Sequence, residues 1–386
     1  MQKEKLIVKN FFTLKNVEIE LSKFNVFIGE QASGKSLLIK LISFFNIMLL
    51  AGIDNAESKT FEQFFNHLFY DIFRIDYTML HKDFQISYQF NEFSILAVKN
   101  DGQKLQVNLK VQGMTKPTLS GNTYQRFFPA GRTFLVDLHR NIFKMLRPLG
   151  SNGDLTTIDP LLFAFGEQYQ DAIESFNKPA GYMQPLNELK NGKRDEHINW
   201  FDNKFFNILK GRFVYDSIGG FIEQGTGSVR PWHSSTGQQE ALPIYLVLRN
   251  YLYDRLSSEM TGSLYIEEPE AHLYPTAQKD ILELLVYVTN VIHSNGIYIT
   301  THSPYILTVL NNLIMANDVK DKQPDFEPNL LVPFEDVRAY CIAGGSAHSL
   351  MNEEYRVIDA EKLDEVSNTI SREYSKMVDL LYAKHK

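Results

Sequence analysis

The sequence predicts an α/β fold with a central, mainly parallel sheet, an antiparallel β subdomain and a helical insertion. Two short, mostly apolar runs, 24–28 and 264–266, have the character of strands that are buried on both faces. Each run is followed by a stretch with helical spacing, at 37–50 and at about 276–294. Buried strands that alternate with helices in this way are typical of an α/β sheet covered by helices.

The composition is that of a folded protein without an internal disulfide framework. The 386 residues are 44% hydrophobic and 13% aromatic, which is ample for a packed core and argues against disorder. The formal net charge of −7 gives no global attraction to nucleic acid or to an anionic membrane. Cys341 is the single cysteine, the N-terminus lacks a signal-peptide core, and the longest apolar run, 41–53, is too short to span a bilayer. We therefore expect a soluble, cytoplasmic protein with no membrane partner.

A phosphate-binding loop is predicted at residues 29–36, directly after the first apolar strand. Its sequence, Gly-Glu-Gln-Ala-Ser-Gly-Lys-Ser, fits the pattern G-x-x-x-x-G-K-[ST]. Glycines let backbone N–H groups turn toward the phosphates, and the following helix adds the positive end of its dipole. Lys35 supplies a mobile positive charge, and the Ser36 hydroxyl can ligate Mg²⁺. The strand before this loop and the helix after it are the context that the function requires.

The segments around this loop predict further strands and a helix. Residues 5–28 contain two or three strands, one of which alternates polar and apolar positions. Residues 56–80 have helical spacing. An antiparallel meander is predicted at 84–90, 93–98 and 105–111, and a tight hairpin turn joins its last two strands.

Two basic features leave alternatives open. Arg132 follows a short apolar segment, and it either faces a phosphate or an acidic neighbour or lies on the surface. Residues 155–212 are mainly helical, and their basic and aromatic residues either contact nucleic acid or a partner or belong to a solvated face, which nearby acids favour. No long heptad run occurs, so no coiled-coil arm is predicted. The basic and aromatic residues of this segment are Lys190, Lys193, Arg194, Trp200, Lys204, Phe205, Phe206, Lys210 and Arg212.

A second helix start is predicted after the glycine-containing segment 215–230, which is expected to form a loop over the site. Ser235 and Thr236 are good N-cap residues, and Gln239 lies three positions after Thr236, as in a capping box. The same hydroxyl and glycine groups at a helix N-terminus also suit a second phosphate-binding surface. Both interpretations are compatible with the sequence.

Two adjacent acids, Glu267 and Glu268, follow the apolar run 264–266. Burying both carboxylates is costly unless a cation lies between them and a third group, and a Mg²⁺–phosphate complex would be such a cation. Taken alone, the pair is more typical of an acidic surface turn, but the predicted phosphate-binding loop favours a site. His302 follows the next predicted strand, 296–301, where a phosphate-sensing role competes with an ordinary hydrogen-bonding one. Later in the chain we expect a helix at 305–315, a polar loop at 316–334, a strand at 337–342 and an amphipathic helix at 361–384.

Four motifs, at 29–36, 234–240, 264–268 and 302, occur in one order and together resemble the ABC-type ATPase head of the RecF and SMC proteins. The sequences Ile-Glu-Glu-Pro-Glu-Ala-His-Leu-Tyr-Pro and Thr-Thr-His-Ser-Pro look most like the OLD-like branch, found in prokaryotic antiphage systems such as PARIS or Septu. The resemblance is weakest in the middle of the chain.

This resemblance implies a role for each motif residue. Glu268 would be the catalytic base, His302 the switch histidine and Lys35 the Walker A lysine, with ATP and Mg²⁺ as the bound groups. Walker B normally has Asp where this chain has Glu267, and the Q-loop glutamine stays open among Gln63, Gln89 and Gln125. The implied nucleotide-binding residues are Gly29, Glu30, Gln31, Ala32, Ser33, Gly34, Lys35 and Ser36, with Ser235, Gly237 and Gln238 of the signature motif. The implied metal ligands are Ser36 and Glu267.

The resemblance further implies a single ABC-type ATPase domain over residues 1–386. Its parts would be an N-terminal lobe at 1–135, a helical insertion at 136–212, a C-terminal lobe at 213–345 and a helical tail at 346–386.

The implied function is that of the sensor subunit of an antiphage complex. The chain would form a homodimer or a higher homo-oligomer with composite ATP sites, and it would control a separate effector, such as a TOPRIM nuclease. Only 84 residues follow His302 (386 − 302), and they hold no Asp-x-Asp pair, so no nuclease is expected in this chain. The trigger would be a phage protein or nucleic acid. The alternative is a RecF-like DNA-repair ATPase that binds DNA directly.

Overall fold

The computed structural model describes most of the chain. The residues described are 4–53, 59–75, 77–90, 94–100, 105–111, 124–137, 159–177, 192–216, 219–225, 227–256, 262–322, 325–359 and 374–377.

A mixed β-sheet forms the centre of this part of the chain. In chain order the strands are β1 (Glu4–Phe11), β2 (Leu14–Leu21), β3 (Phe24–Ile28), β4 (Gln85–Gln89), β5 (Ser94–Asn100), β6 (Leu105–Val111), β7 (Tyr124–Phe128), β8 (Arg212–Tyr215), β9 (Gly220–Gln224), β10 (Gly227–Val229), β11 (Gly262–Glu267), β12 (Gly296–Thr301), β13 (Val337–Ala343), β14 (Ser346–Ser349), β15 (Met351–Asn352) and β16 (Val357–Ile358). Eleven of these strands form the main sheet, in the order β6-β5-β4-β1-β2-β14-β13-β3-β12-β11-β7. Strands β8 to β10 form a small separate sheet, and β15 pairs with β16.

The main sheet has a parallel half and an antiparallel half. Strands β13, β3, β12, β11 and β7 all run in one direction. Strands β2, β1, β4, β5 and β6 pair antiparallel with their neighbours. Strand β14 joins the halves, because it runs antiparallel to β13 and parallel to β2. The predicted α/β class is confirmed, and the antiparallel subdomain continues the parallel sheet.

Helices cover both faces of this sheet. They are α1 (Lys35–Ile53), α2 (Lys59–Phe73), α3 (Thr133–Asp137), α4 (Pro160–Asn177), α5 (Gly192–Leu209), α6 (Thr236–Arg255), α7 (Pro275–Val291) and α8 (Pro304–Asp318). Single 3-10 turns occur at Tyr77–Met79, Pro231–His233, Pro328–Leu330 and Phe334–Asp336. Among the described residues, no helix combines the length and the apolar character that crossing a bilayer requires.

Two hydrophobic cores lie on opposite faces of the sheet. One core contains residues of α1 and α2, and the other contains residues of α4 to α8. Strand β11 contributes to both cores, with Tyr265 on the first face and Leu264 and Ile266 on the second. This alternation follows from the two-residue period of a strand, and it explains why the run 264–266 is apolar at every position.

The segment 215–230 is not the predicted loop. Within it lie β9, β10 and the end of β8, which form an antiparallel sheet in which Val214 pairs with Phe221. Gly219 and Gly225 have φ values of +141° and +48°. Glycines at such angles permit tight turns, so they connect short strands here and do not mark an open loop.

The predicted helical tail at 346–386 is wrong in its first part. Residues 346–349, 351–352 and 357–358 are strands β14, β15 and β16. The amphipathic helix predicted at 361–384 lies outside the described residues, except for 374–377, which are helical.

Candidate functional site

Three of the four motifs meet at one edge of the parallel sheet. Strand β12 lies between β3 and β11, and all three strands run parallel, so their carboxyl ends lie side by side. The segment 29–36 follows β3, Glu267 ends β11, and His302 follows β12. In open α/β sheets, this edge is where ligands bind.

The segment 29–36 turns tightly between β3 and α1. Gly34 has φ +101°, and a Cβ at that position would lie 2.6 Å from Leu14 Cδ2. A Cβ at Gly29 would lie 2.3 Å from the carbonyl oxygen of Ile342. Both distances are too short for a side chain, so the path of the backbone requires the two glycines of the motif.

Lys35 is a largely buried cation within this loop. Its Nζ donates hydrogen bonds to the carbonyl oxygens of Gly29 at 2.9 Å and of Glu30 at 2.8 Å. Burial lowers the pKa of the Lys35 ammonium, while the carboxylates of Glu268 and Glu270 act in the opposite direction. An ammonium has three N–H donors, so these two bonds leave a third donor for an anion.

Glu267 is the last residue of β11, and one of its two carboxylate oxygens has no hydrogen-bond partner among the described residues. Its residue is only 5% exposed, and Oε2 accepts a hydrogen bond from the Ala130 N–H at 2.8 Å. Oε1 is buried, and no described residue donates to it. An unpaired buried carboxylate oxygen is costly, and Oε1 is of the ligand type that could hold a cation.

Glu268 and His302 form a pair on the open side of the site. Glu268 Oε1 lies 3.3 Å from His302 Nε2, and each side chain is about one third exposed, at 34% and 33%. Glu268 has φ +44°, a left-handed conformation that is uncommon for a residue with a Cβ. Its N–H donates to the Thr300 carbonyl at 2.9 Å, which ties this turn to β12. Side chains so exposed and adjacent can both contact a bound molecule.

Glu270 is a third acid of the site, and sequence reasoning missed it. Its Oε1 accepts hydrogen bonds from Thr301 Oγ1 at 2.6 Å and from the His302 N–H at 2.9 Å. Burial raises the pKa of the Glu270 carboxyl above its ordinary value, although both hydrogen bonds oppose the shift. Glu270 therefore orients His302 through its backbone. The available signal was its position, three residues after Glu267 in the same acidic motif.

Arg132 is fully buried beside Glu267 and Glu268, which we call the acidic turn. The alternative that it lies on the surface is therefore wrong. Its Nη1 donates to the carbonyl oxygens of Pro129 at 2.6 Å and Glu267 at 2.7 Å, and Nη2 donates to that of Glu268 at 2.8 Å. Its Nε lies 3.3 Å from Glu240 Oε2. Burial lowers the pKa of the guanidinium, and the carboxylates around it, that of Glu240 first, counteract this. Arg132 thus faces acidic neighbours, as the other alternative proposed.

Of the two N-cap residues that the sequence predicts for α6, Ser235 is the one that caps the helix. Its side chain and that of Gln238 form a reciprocal capping box. The predicted pair was Thr236 and Gln239, which would have shifted the helix by one residue. The sequence permits both pairings because hydroxyl and amide residues occur in both registers.

The signature residues of α6 lie against the turn that follows the acidic pair. A Cβ at Gly237 would lie 2.7 Å from the carbonyl oxygen of His272. Gln238 Nε2 donates to the Leu209 carbonyl at 2.6 Å. In the described part of the chain, the side-chain hydrogen bonds of Ser235 and Gln238 run to each other and to Leu209, none to the loop at 29–36. The structure therefore brings Lys35, the acids and His302 together but leaves the signature residues outside that group.

Comparison with protein families decides the class of this site. A family model described as “AAA ATPase domain” matches residues 1–226, which is more than half of the chain. The chain belongs to the AAA ATPase domain family. A second model, described as “AAA domain, putative AbiEii toxin, Type IV TA system”, matches residues 151–308. No curated protein matches the chain.

Among solved structures, the chain is similar to several heads of this ATPase class. The SmcHead bound to the C-winged helix domain of ScpA is 12% identical, with 92% of this chain and 99% of that chain covered and a TM-score of 0.44. The recombination mediator protein RecF with ATPrS is 13% identical, with 91% and 98% covered and a TM-score of 0.40. The SMC head domain from Thermotoga maritima is 12% identical, with 92% and 100% covered and a TM-score of 0.41.

Four buried side-chain oxygens at the site of this AAA ATPase have no hydrogen-bond partner among the described residues, and similar atoms occur elsewhere, such as Asn66 Oδ1 and Gln168 Oε1. Ser33 Oγ, Glu267 Oε1, Glu270 Oε2 and Thr300 Oγ1 are each buried, and no described residue forms a hydrogen bond with them. They follow or end the three adjacent strands β3, β11 and β12. Native proteins leave few such groups unpaired, so four of them together at one sheet edge indicate a ligand. Polar oxygens beside a buried lysine fit a metal–phosphate group.

The residues described contain no group of three His, Cys, Asp or Glu side chains that could hold a metal ion by themselves. This composition fits Mg²⁺, which proteins commonly bind through one or two carboxylates together with the phosphates of a substrate.

The middle of the basic and aromatic segment of α5 packs against α7. Its central residues therefore form neither a nucleic-acid contact nor a solvated face. Lys204 lies 2.7 Å from Asp280 Oδ1 and also pairs with Glu283. The ring of Trp200 stacks on that of Tyr287, with centroids 3.7 Å apart. These contacts neutralise Lys204 and cover one face of Trp200, whereas Phe206, Lys210 and Arg212 are exposed.

Proposed function

We propose that this protein binds ATP with Mg²⁺ and hydrolyses it to ADP and phosphate. The observation that carries this proposal is that the buried Lys35 and four unpaired buried oxygens lie together at the ends of three adjacent parallel strands. Membership of the AAA ATPase domain family supports the same reaction.

The loop at residues 29–36 would hold the phosphates. Its two required glycines keep the backbone close to the bound anion, and α1 begins at Lys35, so the first N–H groups of that helix lie at the loop. The third N–H of Lys35 would donate to a phosphate oxygen. Positive charge held in a site shielded from water stabilises the charge that develops during phosphoryl transfer.

Glu267 and Ser36 would hold the metal. Glu267 Oε1 is buried and unpaired among described residues, and its second oxygen is fixed by Ala130, so the carboxylate is already oriented. When bound, Mg²⁺ neutralises phosphate charge and orients the phosphates. The longer side chain of a glutamate at this position still presents a carboxylate oxygen, the ligand type that Mg²⁺ prefers.

Glu268 would act as the general base for water, and His302 would stabilise the reacting phosphate. The Glu268 carboxylate is accessible, and His302 Nε2 lies 3.3 Å from it, so both groups can approach the same bound molecule. Glu270 is a positioning residue, because it holds the backbone of His302 without access to solvent.

The signature residues would complete the site of a second copy of the chain. Ser235 and Thr236 are exposed at the N-terminus of α6, and the side chains of Ser235 and Gln238 do not contact the chain's own phosphate-binding loop. A helix N-terminus with exposed hydroxyls suits an anion, and a two-fold dimer would place it opposite the partner's loop.

The test of this function is the ATPase activity of two variants with the wild type as reference. Lys35→Ala removes the buried cation, and we expect it to abolish nucleotide binding and turnover. Glu268→Gln keeps the shape of the site but removes the base, and we expect it to retain ATP binding and trap an ATP-bound assembly. Steady-state phosphate release and size-exclusion chromatography with Mg²⁺–ATP measure both effects. Undiminished turnover of Glu268→Gln would remove Glu268 from the base role.

We further propose that the ATPase is the sensor subunit of an antiphage complex that controls a separate nuclease. One support is that the motif sequences at 264–276 and 300–304 resemble those of OLD-like proteins. The other is the AbiEii toxin named in the description of one family model. We expect the purified chain not to cleave DNA or RNA in the presence of Mg²⁺, and to co-purify with a nuclease encoded beside it. Cleavage by the chain alone would contradict the proposal, and ATP-dependent, salt-sensitive DNA binding would favour the RecF-like repair function.

A further inference from the structure

Arg132 connects two parts of the site that are far apart in the sequence. It follows β7, in a turn beside the acidic end of β11, and it is fully buried. On one side its Nη groups donate to the carbonyl oxygens of Glu267 and Glu268. On the other side its Nε reaches Glu240, with 3.3 Å to Oε2 and 3.3 Å to the backbone oxygen. One planar side chain therefore bridges the acidic turn and α6.

The acidic turn needs this support because its backbone is strained. Glu268 has φ +44°, a left-handed conformation that is unfavourable for a residue with a Cβ. Two hydrogen bonds hold the backbone of Glu268 in place. Its N–H donates to the Thr300 carbonyl, and its carbonyl oxygen accepts from Arg132. The direction of the Glu268 side chain thus depends on Arg132.

The opposite end of the bridge, Glu240, is part of α6 and moves with that helix. Glu240 is 4% exposed and lies five positions after the N-cap Ser235, so its side chain is about 7.5 Å along the helix axis from the exposed helix start. A small shift of α6 moves Glu240, and the rigid guanidinium transmits that movement to the carbonyls of the acidic turn. Packed helices shift as units, so an event at the N-terminus of α6 can reach Glu268.

We propose that Arg132 is a positioning residue that couples the position of α6 to the orientation of the Glu268 carboxylate. The coupling rests on the proposed ATPase function, and it makes turnover depend on the position of α6. Glu240 lies in α6 and contacts Arg132, and Arg132 donates hydrogen bonds to the backbone of the acidic turn.

A second buried ion pair on α6 supplies the matched control. Arg249, also in α6, donates from Nε to Asp202 Oδ1 at 2.7 Å and from Nη2 to Asp202 Oδ2 at 2.9 Å. This pair joins α6 to α5, whereas Arg132 joins α6 to the acidic turn. Loss of its charge destabilises α6 packing but leaves the bridge to Glu268 intact.

The experiment compares Glu240→Gln and Arg132→Lys with Asp202→Asn in the full chain. Glutamine keeps the length of Glu240 without its charge, and lysine keeps the charge of Arg132 without the planar fork. We expect each bridge variant to lower kcat by about tenfold or more with KM for ATP within about twofold, because an interaction needed only for the reacting geometry is lost. We expect Asp202→Asn to keep kcat within about twofold of the wild type, whatever its effect on melting temperature.

The outcomes separate this coupling from the ATPase proposal and from a merely structural role. If the wild type itself does not hydrolyse ATP, the ATPase proposal fails. If the wild type is active and the bridge variants have normal kcat per folded protein, or if Asp202→Asn loses kcat to the same extent, the coupling is overturned. A melting curve of each variant gives the folded fraction, and Arg132→Lys gives the answer if Glu240→Gln does not fold.

Discussion

Three glutamates within four positions of the chain have three different environments, and these set their chemistry. Glu267 is buried with one oxygen unpaired among described residues, Glu268 is partly exposed beside His302, and Glu270 is buried and accepts two hydrogen bonds. A buried, unpaired oxygen suits a metal, and an accessible carboxylate suits a water. Glu270 Oε1 holds the backbone of His302, while its Oε2 is buried without a described partner. Under the proposed function the same side chain would supply a metal ligand, a base and a support.

The roles of single residues were only partly predictable from the sequence. Glu267, Glu268 and Lys35 lie in motifs whose spacing reflects local geometry, and the fold does bring them together. The partners of Arg132 are a turn 135 positions away and a helix 108 positions away, and such long-range pairings leave no local signal. Glu270 lies in the same acidic motif, but its role depends on contacts with Thr301 and His302 that the sequence does not reveal.

At the residue scale we also predict a pH-dependent stability that arises from Glu4. Its Oε2 accepts hydrogen bonds from Tyr88 at 2.8 Å and Tyr298 at 3.2 Å, and burial raises the pKa of the Glu4 carboxyl from 4.5 to about 7. Between these values the folded protein keeps a proton that the unfolded chain has released. Stability contributed by this group therefore falls as pH rises from about 4.5 to about 7, by at most about 1.4 kcal/mol per pH unit.

Glu4→Gln tests this prediction, since a neutral amide oxygen can still accept from the tyrosine hydroxyls. We expect the variant to lose the share of the pH dependence that belongs to Glu4. Urea unfolding of both proteins at pH 5 and pH 8 measures the difference, because other titrating groups are common to the two. Equal losses of unfolding free energy in both proteins would show that Glu4 titrates normally.

At the scale of elements, the strands near the site were well predicted from the sequence, and the small sheet was not. The strand at Gly296–Thr301 has its predicted bounds, because an apolar run between turn residues marks both ends. The segment 215–230 was interpreted as a loop because its glycines are dense. In the structure they are turns between strands only three to five residues long, too short to show a period.

The contact between α6 and the turn after the acidic pair gives a second prediction. A Cβ at Gly237 would lie 2.7 Å from the His272 carbonyl, so Gly237→Ala must separate the two elements. We expect this variant to lose about 1–3 kcal/mol of unfolding free energy, as overpacked sites do, and to lose ATPase activity. Gly227→Ala is the control, because a Cβ there meets no atom within 4 Å and its φ is not left-handed. Urea unfolding and phosphate release of both variants are the measurements, and equal behaviour of the two would contradict a tight contact.

At the scale of the whole molecule, the fold separates the site into two groups on one chain. Lys35, Glu267, Glu268 and His302 lie at the ends of the parallel strands, whereas Ser235 lies at the exposed start of α6. One chain therefore presents an acidic and cationic group of residues and, apart from it, an exposed helix N-terminus. A sequence gives the order of these motifs but not the distance between them, so their separation is known only from the structure.

Restoration of activity between two inactive variants tests this division in full. In a dimer that combines Lys35→Ala with Ser235→Arg, one composite site carries both changes and the other carries neither. We expect such a heterodimer, isolated with two affinity tags, to recover about half of the wild-type ATPase activity, because a two-fold assembly has two equivalent sites. Lys35→Ala combined with Glu268→Gln is the matched control, since both residues belong to the same group and each composite site then carries one change. No recovery in the first combination would mean that the signature residues act within their own chain. Recovery in the control would mean that Lys35 and Glu268 do not serve the same site.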